Sequence, residues 1–383
     1  MIGKGKGVGY RSGPLASKSL SEHEAIPEAP AQQSPDRNVK LSCRNLWKVY
    51  GPDAARYFPA NSGVVDDPPA LIKQIRSDGL IAAACNVSFD LQDGEIFVIM
   101  GLSGSGKSTV VRCLSRLVEP TAGEIVLDNL ELLKASKTDL IELRRHKMGM
   151  VFQHFGLLPH LTVLENVAFP LKVQGIAPAE RNRRAGEMIK LVGLKGREYA
   201  YPRQLSGGQQ QRVGIARSLA VEPEIWFLDE PFSALDPLIR RQMQDEFLRL
   251  QRLLNKSIVF ITHDFLEALR VADRIAIMKD GEVVQRGSPS DVIMRPANDY
   301  VAEFTCDVPR AKLITAGKIM SPSGDHLTTS EAVPETITLE QLVSRFSKGL
   351  EVIPVCDDAG SIVGQISAQE ILTALASAEE ESP

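Results

Sequence analysis

The sequence predicts an α/β protein with a largely parallel sheet, a helical subdomain inserted into it, and a small α+β module at the C-terminus. Short runs rich in β-branched residues alternate with helical patterns from Leu41 onward, which favours parallel strands joined by helices. Between Arg144 and Val221 strand signals are scarce and helical signals dominate, as in PAERNRRAGEMIKLVGL. Near the end, EVIPVCDDAGSIVGQI is typical of two strands joined by an Asp/Gly turn.

The predicted parts of the chain follow from shifts in composition. The first part is rich in Gly, Ser, Pro, Ala and Lys without periodicity, which predicts a disordered tail. A proline-rich stretch that interrupts the alternation is interpreted as an insertion. In chain order the parts are a tail (1–38), an α/β domain (39–304) with the insertion at about 51–79 and the helical subdomain at about 145–221, a linker with the C-terminal module (305–376), and a short tail (377–383).

Five apolar runs predict the strands of the α/β domain. Asp280 and Gly281 stand between the last of these runs and a further apolar run, which is a strong signal for a β-hairpin. The predicted strands are Ile96–Met100, Glu124–Leu127, Ile225–Leu228, Ile258–Ile261 and Ile275–Met278.

Composition excludes several classes of protein. The 383 residues are 43% hydrophobic and 24% charged, as in globular proteins, and the net charge of −4 offers no basic excess for nucleic acid. The apolar stretches are much shorter than the roughly 20 residues of a membrane-spanning helix, and the basic N-terminus lacks the apolar core of a secretory signal. The five scattered cysteines show no C-x-x-C pair, so we expect reduced thiols in the cytoplasm.

The first chemical motif is GLSGSGKST, which directly follows a predicted strand and fits G-x-x-x-x-G-K-[ST]. Its glycines let the backbone wrap closely around phosphates, whose charge the amide groups and the next helix N-terminus favour. Lys107 would reach the β- and γ-phosphates and Ser108 would bind Mg²⁺. The alternative is a glycine-rich turn with an exposed lysine. The candidate residues are Gly101, Ser103, Gly104, Ser105, Gly106, Lys107, Ser108 and Thr109.

Two carboxylates end the predicted strand in IWFLDE. Beside a phosphate loop, Asp229 can hold the Mg²⁺ shell, and Glu230 can orient or deprotonate the attacking water. The alternative is that both only solvate the end of a strand. In LSGGQQQR, farther upstream, Ser-Gly-Gly at the start of a helix offers a hydroxyl and free N–H groups to a phosphate.

These motifs occur in an order that resembles the ATP-binding cassette (ABC) ATPases over about residues 39–300. The phosphate loop is followed by Gln153 in VFQHF, then LSGGQ, LDEP, SALD, and His263 in ITHD. The resemblance implies an ABC-type P-loop NTPase core with the helical subdomain inserted in it. It also implies a head-to-tail dimer of two copies that encloses two ATP molecules with Mg²⁺.

The resemblance also assigns roles to residues of this sequence. One copy supplies the phosphate loop with Lys107, together with Asp229, Glu230 and His263, while Gln153 senses Mg²⁺ and water. The other copy supplies Ser206, Gly207, Gly208 and Gln209, and Asp236 links the paired sites. Tyr50 matches the aromatic residue that stacks on adenine. Tyr50 could also be a core or surface tyrosine, and His263 a histidine that only completes a strand end.

Several stretches are closer to one branch of the family than the general motifs require. They resemble the ATPase subunits of glycine betaine/proline betaine importers: GEIFVIMGLSGSGKST, the insertion, DEPFSALDPLIRRQMQDEFLRLQ and PANDYVAEF. This implies osmolyte uptake at the cytoplasmic face of the cell membrane, with permease subunits and a periplasmic or extracellular solute-binding protein as partners. Importers of choline, carnitine or trimethylamine N-oxide are alternatives, and an ABC ATPase without a permease is a third.

The C-terminal module resembles a single cystathionine-β-synthase (CBS) motif. VIPVCDDAGSIVGQISAQEIL carries the likeness, and Thr338 with Gln341 and Ser367 with Glu370 each predict a capping box. CBS motifs usually occur in tandem, so a complete pair would need a second subunit. Nucleotide binding and a structural role in dimerisation both stay open for this module.

Overall fold

The computed structural model describes most of the chain downstream of the predicted N-terminal tail. Gln153 and the tail up to residue 37 lie outside the described residues. Within the described part, no helix is long and apolar enough to cross a membrane. The described residues are 38–58, 62–152, 156–233, 235–306, 308, 315–322, 332–346, 352–357 and 360–380.

A six-stranded sheet forms the centre of the α/β domain. Its order is β10-β9-β3-β8-β7-β6, and all neighbours are parallel except the β9–β10 hairpin at Asp280 and Gly281. Strands β3, β7 and β8 are buried along their whole length, as expected for parallel strands covered on both faces. The strands are β3 (Ile96–Met100), β6 (Met148–Val151), β7 (Ile225–Asp229), β8 (Ser257–Thr262), β9 (Arg274–Lys279) and β10 (Glu282–Gly287).

A second, antiparallel sheet has the order β2-β1-β4-β5. This sheet contains the predicted strand at Glu124–Leu127. The prediction that this strand belongs to the parallel sheet is therefore wrong. In this strand Glu124 is exposed between buried neighbours, the alternation that is typical of an antiparallel strand with one solvated face. The strands are β1 (Val39–Tyr50), β2 (Ile81–Gln92), β4 (Ala122–Leu127) and β5 (Leu130–Glu131).

The insertion after β1 contains a folded element that the sequence analysis missed. Helix α1 (Pro68–Ser77) follows a 3-10 turn at Ala54–Tyr57, and its N-cap Asp67 accepts a hydrogen bond from the N–H of Ala70 at 3.0 Å. Prolines at the first helical positions lack only N–H groups that a helix leaves unbonded there. Buried Ile72 and Ile75 pack with Trp47, Phe58 and Leu80 in a small hydrophobic core beside β1.

Helices dominate the region between β5 and β7, as predicted, although β6 joins the parallel sheet there. Thr162 and Glu165 form a capping box on α4, whose Val167 and Leu171 are buried in the same cluster as Ile189 of α5. The helices of the α/β domain after α1 are α2 (Lys107–Leu114), α3 (Lys137–His146), α4 (Val163–Val173), α5 (Pro178–Leu191), α6 (Gly207–Leu219), α7 (Pro237–Leu254), α8 (Phe265–Val271), α9 (Pro289–Met294) and α10 (Asp299–Thr305), with a 3-10 turn at Pro202–Gln204.

The C-terminal module has a three-stranded sheet, β11-β12-β13, and its own core. The predicted capping box at Ser367 is present, since Ser367 N donates to Glu370 Oε2 at 2.6 Å and Glu370 N to Ser367 Oγ at 3.4 Å. The last helix runs to Glu380, into the segment predicted as a tail. The elements are α11 (Ala316–Ile319), β11 (Val333–Pro334), α12 (Leu339–Phe346), β12 (Val352–Cys356), β13 (Ile362–Ser367) and α13 (Ala368–Glu380).

Candidate active site

The carboxyl ends of β3, β8 and β7 meet at one edge of the parallel sheet, because these strands are direct neighbours. β3 leads into the glycine-rich loop, β7 ends at Asp229, and β8 is followed by His263. Ligands of open α/β sheets bind at the carboxyl edge of the strands. The candidate residues from three distant segments of the sequence therefore lie at one edge.

The glycine-rich loop between β3 and α2 needs glycine at two of its positions for space as well as for conformation. Gly101 and Gly106 have φ of +149° and +101°, in the region that favours glycine. A Cβ atom on Gly101 would lie 2.2 Å from the carbonyl oxygen of Met278, and one on Gly106 would lie 2.1 Å from that of Ala83. Gly104, at +82°, has no neighbour within 4 Å of such an atom, so its side of the loop is open.

Lys107 lies folded against this loop. Its Nζ donates to the carbonyl oxygens of Gly101 at 2.8 Å and Leu102 at 2.9 Å, and approaches Ser105 Oγ at 3.5 Å. Burial lowers the pKa of Lys107, while the carboxylates of Glu230 and Asp229 act in the opposite direction. The cation is therefore held next to the loop by uncharged acceptors that a phosphate could replace. Ser103 is exposed on the loop and Thr109 is half-buried in α2.

Ser108 and Asp229, beside Lys107, place two oxygen atoms that could bind a metal ion next to each other. Ser108 Oγ donates to Asp229 Oδ1 at 2.9 Å, and Arg112 Nη2 lies 3.6 Å from the other carboxylate oxygen. Two neighbouring ligands of an octahedral Mg²⁺, each at about 2.1 Å, are about 3.0 Å apart, so this spacing fits the ion. Among the described residues no group of three or more His, Cys, Asp or Glu side chains could hold a metal, so water and phosphate oxygens would complete the shell.

Glu230 is held in an unusual conformation next to His263. Its φ is +46°, its N–H donates to the carbonyl of Ile261 at 3.1 Å, and its carbonyl accepts from Ser233 Oγ at 3.0 Å. A left-handed glutamate costs about 1 to 3 kcal/mol and is typical of functional sites. Its Oε2 lies 3.2 Å from His263 Nδ1, and both residues line a small cleft. The carboxylate is largely buried, whereas the imidazole is more than half exposed.

The LSGGQ residues lie at a different place, where α6 begins. Ser206 is the N-cap of α6 and accepts from Gln209 N at 3.3 Å, while Gln209 Oε1 accepts from Ser206 N at 3.1 Å. Gly207 is the first residue of the helix, and a Cβ atom on Gly208 would lie 2.5 Å from Ile239 of α7. A cavity of about 220 Å³ opens beside them. Its lining residues are Gly193, Leu194, Ser206, Gly208, Gln209, Arg212, Ile239 and Met243.

Two further predicted residues occupy the ends of elements. Asp236 is the N-cap of α7 and accepts from Ile239 N at 3.1 Å, next to the LSGGQ residues. Tyr50 ends β1, pairs with Ile81 and is 41% exposed, with Lys48 Nζ 4.8 Å from its ring centre. Tyr50 is therefore a surface tyrosine and not a core residue. Gln153 lies outside the described residues.

Two side chains that support the site were not predicted from the sequence. Arg240 and the buried Glu267 line the same cleft as Glu230 and His263. Burial raises the pKa of Glu267, while hydrogen bonds with Thr262 and Gln244 act against the rise. Their positions offered a signal, because Arg240 and Glu267 each lie one helical turn after the N-cap residue of their helix, Asp236 and Asp264.

Two family models and a solved structure match this chain. The ABC transporter family model matches residues 84–233, and the CBS domain model matches residues 318–377. The dimeric post-hydrolysis structure of the ATP-binding cassette MJ0796 bound to ADP and Pi aligns with a TM-score of 0.54 and 35% identity, over 65% of this chain and 98% of that one.

Two curated relatives extend over nearly the whole chain. The trimethylamine N-oxide transport system ATP-binding protein TmoW of Ruegeria pomeroyi is 54% identical over 88% of this chain and 96% of its own. The glycine betaine transport ATP-binding protein OpuAA of Bacillus subtilis is 48% identical over 88% of this chain and 81% of its own. The fold, the phosphate loop and these relatives together show that the chain belongs to the ABC transporter ATP-binding subunits of the glycine betaine, proline betaine and related quaternary amine importers.

Proposed function

We propose that this chain hydrolyses ATP in a head-to-tail pair of copies and thereby drives solute uptake through a separate permease. One observation carries the proposal. The phosphate loop, Asp229, Glu230 and His263 lie at one edge of the sheet, whereas Ser206, Gly208 and Gln209 line a separate cavity at the start of α6. Each copy thus carries two separate parts of a nucleotide site. A second copy facing the opposite way would bring the missing part to each of them.

The phosphate loop is proposed to bind the triphosphate. Its backbone N–H groups and the N-terminus of α2 favour an anion. Lys107 would exchange its contacts with the carbonyls of Gly101 and Leu102 for contacts with the β- and γ-phosphates. A bound phosphate would also stabilise the charged form of this buried lysine, whose pKa burial lowers. Tyr50 would stack on the base from the end of β1.

Mg²⁺ is proposed to lie at the Ser108–Asp229 pair, with Gln153 as a further ligand from the sequence motif. When bound there, the ion would neutralise charge on the phosphate oxygens. Arg112 would limit the carboxylate's freedom, since its guanidinium lies 3.6 Å from the oxygen of Asp229 that faces away from Ser108. The two oxygen atoms that would bind the ion, Ser108 Oγ and Asp229 Oδ1, are already in contact with each other.

Glu230 is proposed to act as the general base toward the attacking water. Its direction is fixed by the left-handed backbone, by the hydrogen bond that its N–H donates to Ile261 and by the one that its carbonyl accepts from Ser233, and His263 Nδ1 holds the carboxylate at 3.2 Å. A partner copy would present Ser206 and the N–H groups that begin its α6 to the γ-phosphate. Asp236, near both surfaces, would link the two sites.

The permease is proposed to dock beside the helical region. Phe169 and Val173 of α4 are both more than 40% exposed, although α4 also has a buried face. Such side chains, next to the segment of Leu157 and Leu158, offer an apolar surface to a helix of another protein. The chain would then lie at the cytoplasmic face of the membrane, with a solute-binding protein on the other side.

The cargo is proposed to be a small methylated amine. Glycine betaine or proline betaine is the first candidate from the sequence resemblance, with choline and carnitine as alternatives. Trimethylamine N-oxide is favoured by a specific observation: the TmoW relatives are 54% and 49% identical and this chain covers 96% and 98% of them. Uptake by membrane vesicles holding the complete transporter, with each solute in turn, separates these candidates.

The variant Glu230→Gln tests the central role. We expect its ATP turnover to fall by roughly 10²-fold or more, the usual contribution of a general base, while ATP affinity stays within about threefold. Glu222→Gln is a matched control, because Glu222 also has a positive φ of 53° but pairs with Arg184 on the surface. Steady-state phosphate release and equilibrium binding of ATP give the two quantities. Turnover equal to that of Glu222→Gln would remove Glu230 from this role.

A further inference from the structure

Arg240 joins two loops that lie beside the candidate site. It belongs to the first turns of α7, and its Nη2 donates to the carbonyl oxygen of Leu235 at 3.2 Å, the residue before Asp236. Its Nη1 donates to Asp264 Oδ2 at 3.3 Å, the residue after His263. One guanidinium therefore contacts the immediate neighbours of two predicted site residues.

Asp264 is itself fixed on both sides. Its Oδ1 accepts from Glu267 N at 3.2 Å and caps α8, and its own N–H donates to Thr262 Oγ1 at 3.0 Å. Thr262 and Asp264 are the residues directly before and after His263 in the sequence. A displacement of the Asp264 carboxylate is therefore passed directly to the backbone that carries the imidazole.

The cleft between these groups is small and polar. Arg240, Asp264 and Glu267 line it together with Glu230 and His263, and its volume of about 10 Å³ is close to that of one water molecule. The Nε atom of Arg240 is buried and has no hydrogen-bond acceptor among the described residues. Arg240 thus lines the same cleft as the carboxylate that is proposed to activate water.

We propose that Arg240 is a positioning residue that makes the arrangement of His263 and Glu230 depend on the position of the Asp236 loop. The inference rests on the proposed function, in which that loop meets the second copy. When the second copy engages the loop, a shift of the Leu235 carbonyl is carried by the guanidinium to Asp264 and so to His263. Hydrolysis in one site then depends on closure of the dimer.

Arginine suits this task better than lysine. Its planar fork holds two donors at a fixed distance, whereas an ammonium group is a single flexible point charge. Lysine at this position could retain the contact with Asp264 but not both contacts. Arg241, the next residue of α7, provides a matched control because it has the same side chain and helix but is exposed.

The experiment compares the full-length wild type with Arg240→Met, Arg240→Lys, Asp264→Asn, the double variant Arg240→Met/Asp264→Asn, and Arg241→Met. ATP turnover is measured over a range of ATP and protein concentrations, together with melting temperature. Asn retains an N-cap, so Asp264→Asn removes the charge without removing the cap.

We expect Arg240→Met to lower kcat by about tenfold, the loss of one charge-assisted hydrogen bond, with KM changed less than twofold. The Hill coefficient for ATP should fall toward 1. Arg240→Lys should recover part of kcat, Arg241→Met should match the wild type, and the double variant should be no slower than Arg240→Met.

Equal kinetics for Arg240→Met and Arg241→Met would overturn the proposal. So would a double variant that loses the product of the two single losses, or a loss confined to KM. A loss of kcat that follows melting temperature across all the variants, with cooperativity unchanged, would reduce Arg240 to a structural role. If the wild type does not hydrolyse ATP, or if Glu230→Gln is as fast as the wild type, the proposed function itself fails, which is a different result from any of these.

Discussion

The substitution Gly106→Ala tests whether the shape of the phosphate loop is set by a second sheet. Gly106 has a φ of +101°, and a Cβ atom there would lie 2.1 Å from the carbonyl oxygen of Ala83 in β2. A carbon–oxygen contact is ordinarily about 3.3 Å, so the loop or the strand must move by about 1.2 Å. Conformational strain adds about 1 to 2 kcal/mol.

A matched control separates the strain from the collision. Gly196 has a similar φ of +88°, but a Cβ atom there meets nothing within 4 Å. We therefore expect Gly196→Ala to show only the cost of strain, and to leave ATP turnover unchanged. Because a 1 Å misplacement of reacting groups can cost about 10²-fold, Gly106→Ala should lower turnover by about that factor and melt at a lower temperature than the control.

The assays are phosphate release, equilibrium binding of ATP and thermal unfolding of both variants. The reasoning is refuted if Gly106→Ala binds and hydrolyses ATP like the wild type. It is also refuted if the two variants lose the same stability, since the contact with Ala83 would then impose no constraint on the loop.

Two further predictions test the pairing of copies and the acid stability. Ser206→Arg should abolish ATP-dependent dimers in size-exclusion chromatography of the Glu230→Gln background, because bulk and charge would enter the partner's phosphate site; persistence of the dimer would contradict the composite site. Glu224, whose pKa falls to about 2 through hydrogen bonds led by that from Lys40, should stabilise the fold above its unfolded pKa and lose this contribution as pH falls from about 4.5 toward 2. Urea unfolding of Glu224→Gln should differ from the wild type at pH 7 and approach it on acidification, whereas a constant difference would exclude the linkage; Glu222→Gln is the control.

The loops at the candidate site could be predicted from sequence because their shape depends on local residue types. Gly101 and Gly106 have backbone angles that favour glycine, and the Asp280–Gly281 turn requires positive φ at both residues. Capping boxes at Ser206 and Ser367 are equally local. In each of these cases the chemistry of a few adjacent residues decides the structure.

What could not be predicted depends on partners that are distant in the chain. The sheet to which Glu124–Leu127 belongs is set by pairing with β1, which is distant in the chain. Helix α1 was missed because its prolines were interpreted as interruptions, although they stand where a helix accepts them. The contact between Arg240 and Asp264 forms only when α7 lies beside the start of α8, so it could not be predicted from either segment alone.

The arrangement of strands around β3 has a consequence for how the protein is made. Ile96 pairs with Ile258 and Phe97 with Arg274, and the carbonyl of Ser105 accepts a hydrogen bond from Gly281 N at 3.0 Å. The ribosome synthesises these supports long after the loop itself has left the exit tunnel. Cellular ATP therefore cannot assist the folding of the growing chain until these strands have been made, since a ligand that binds only the native state stabilises only the completed domain.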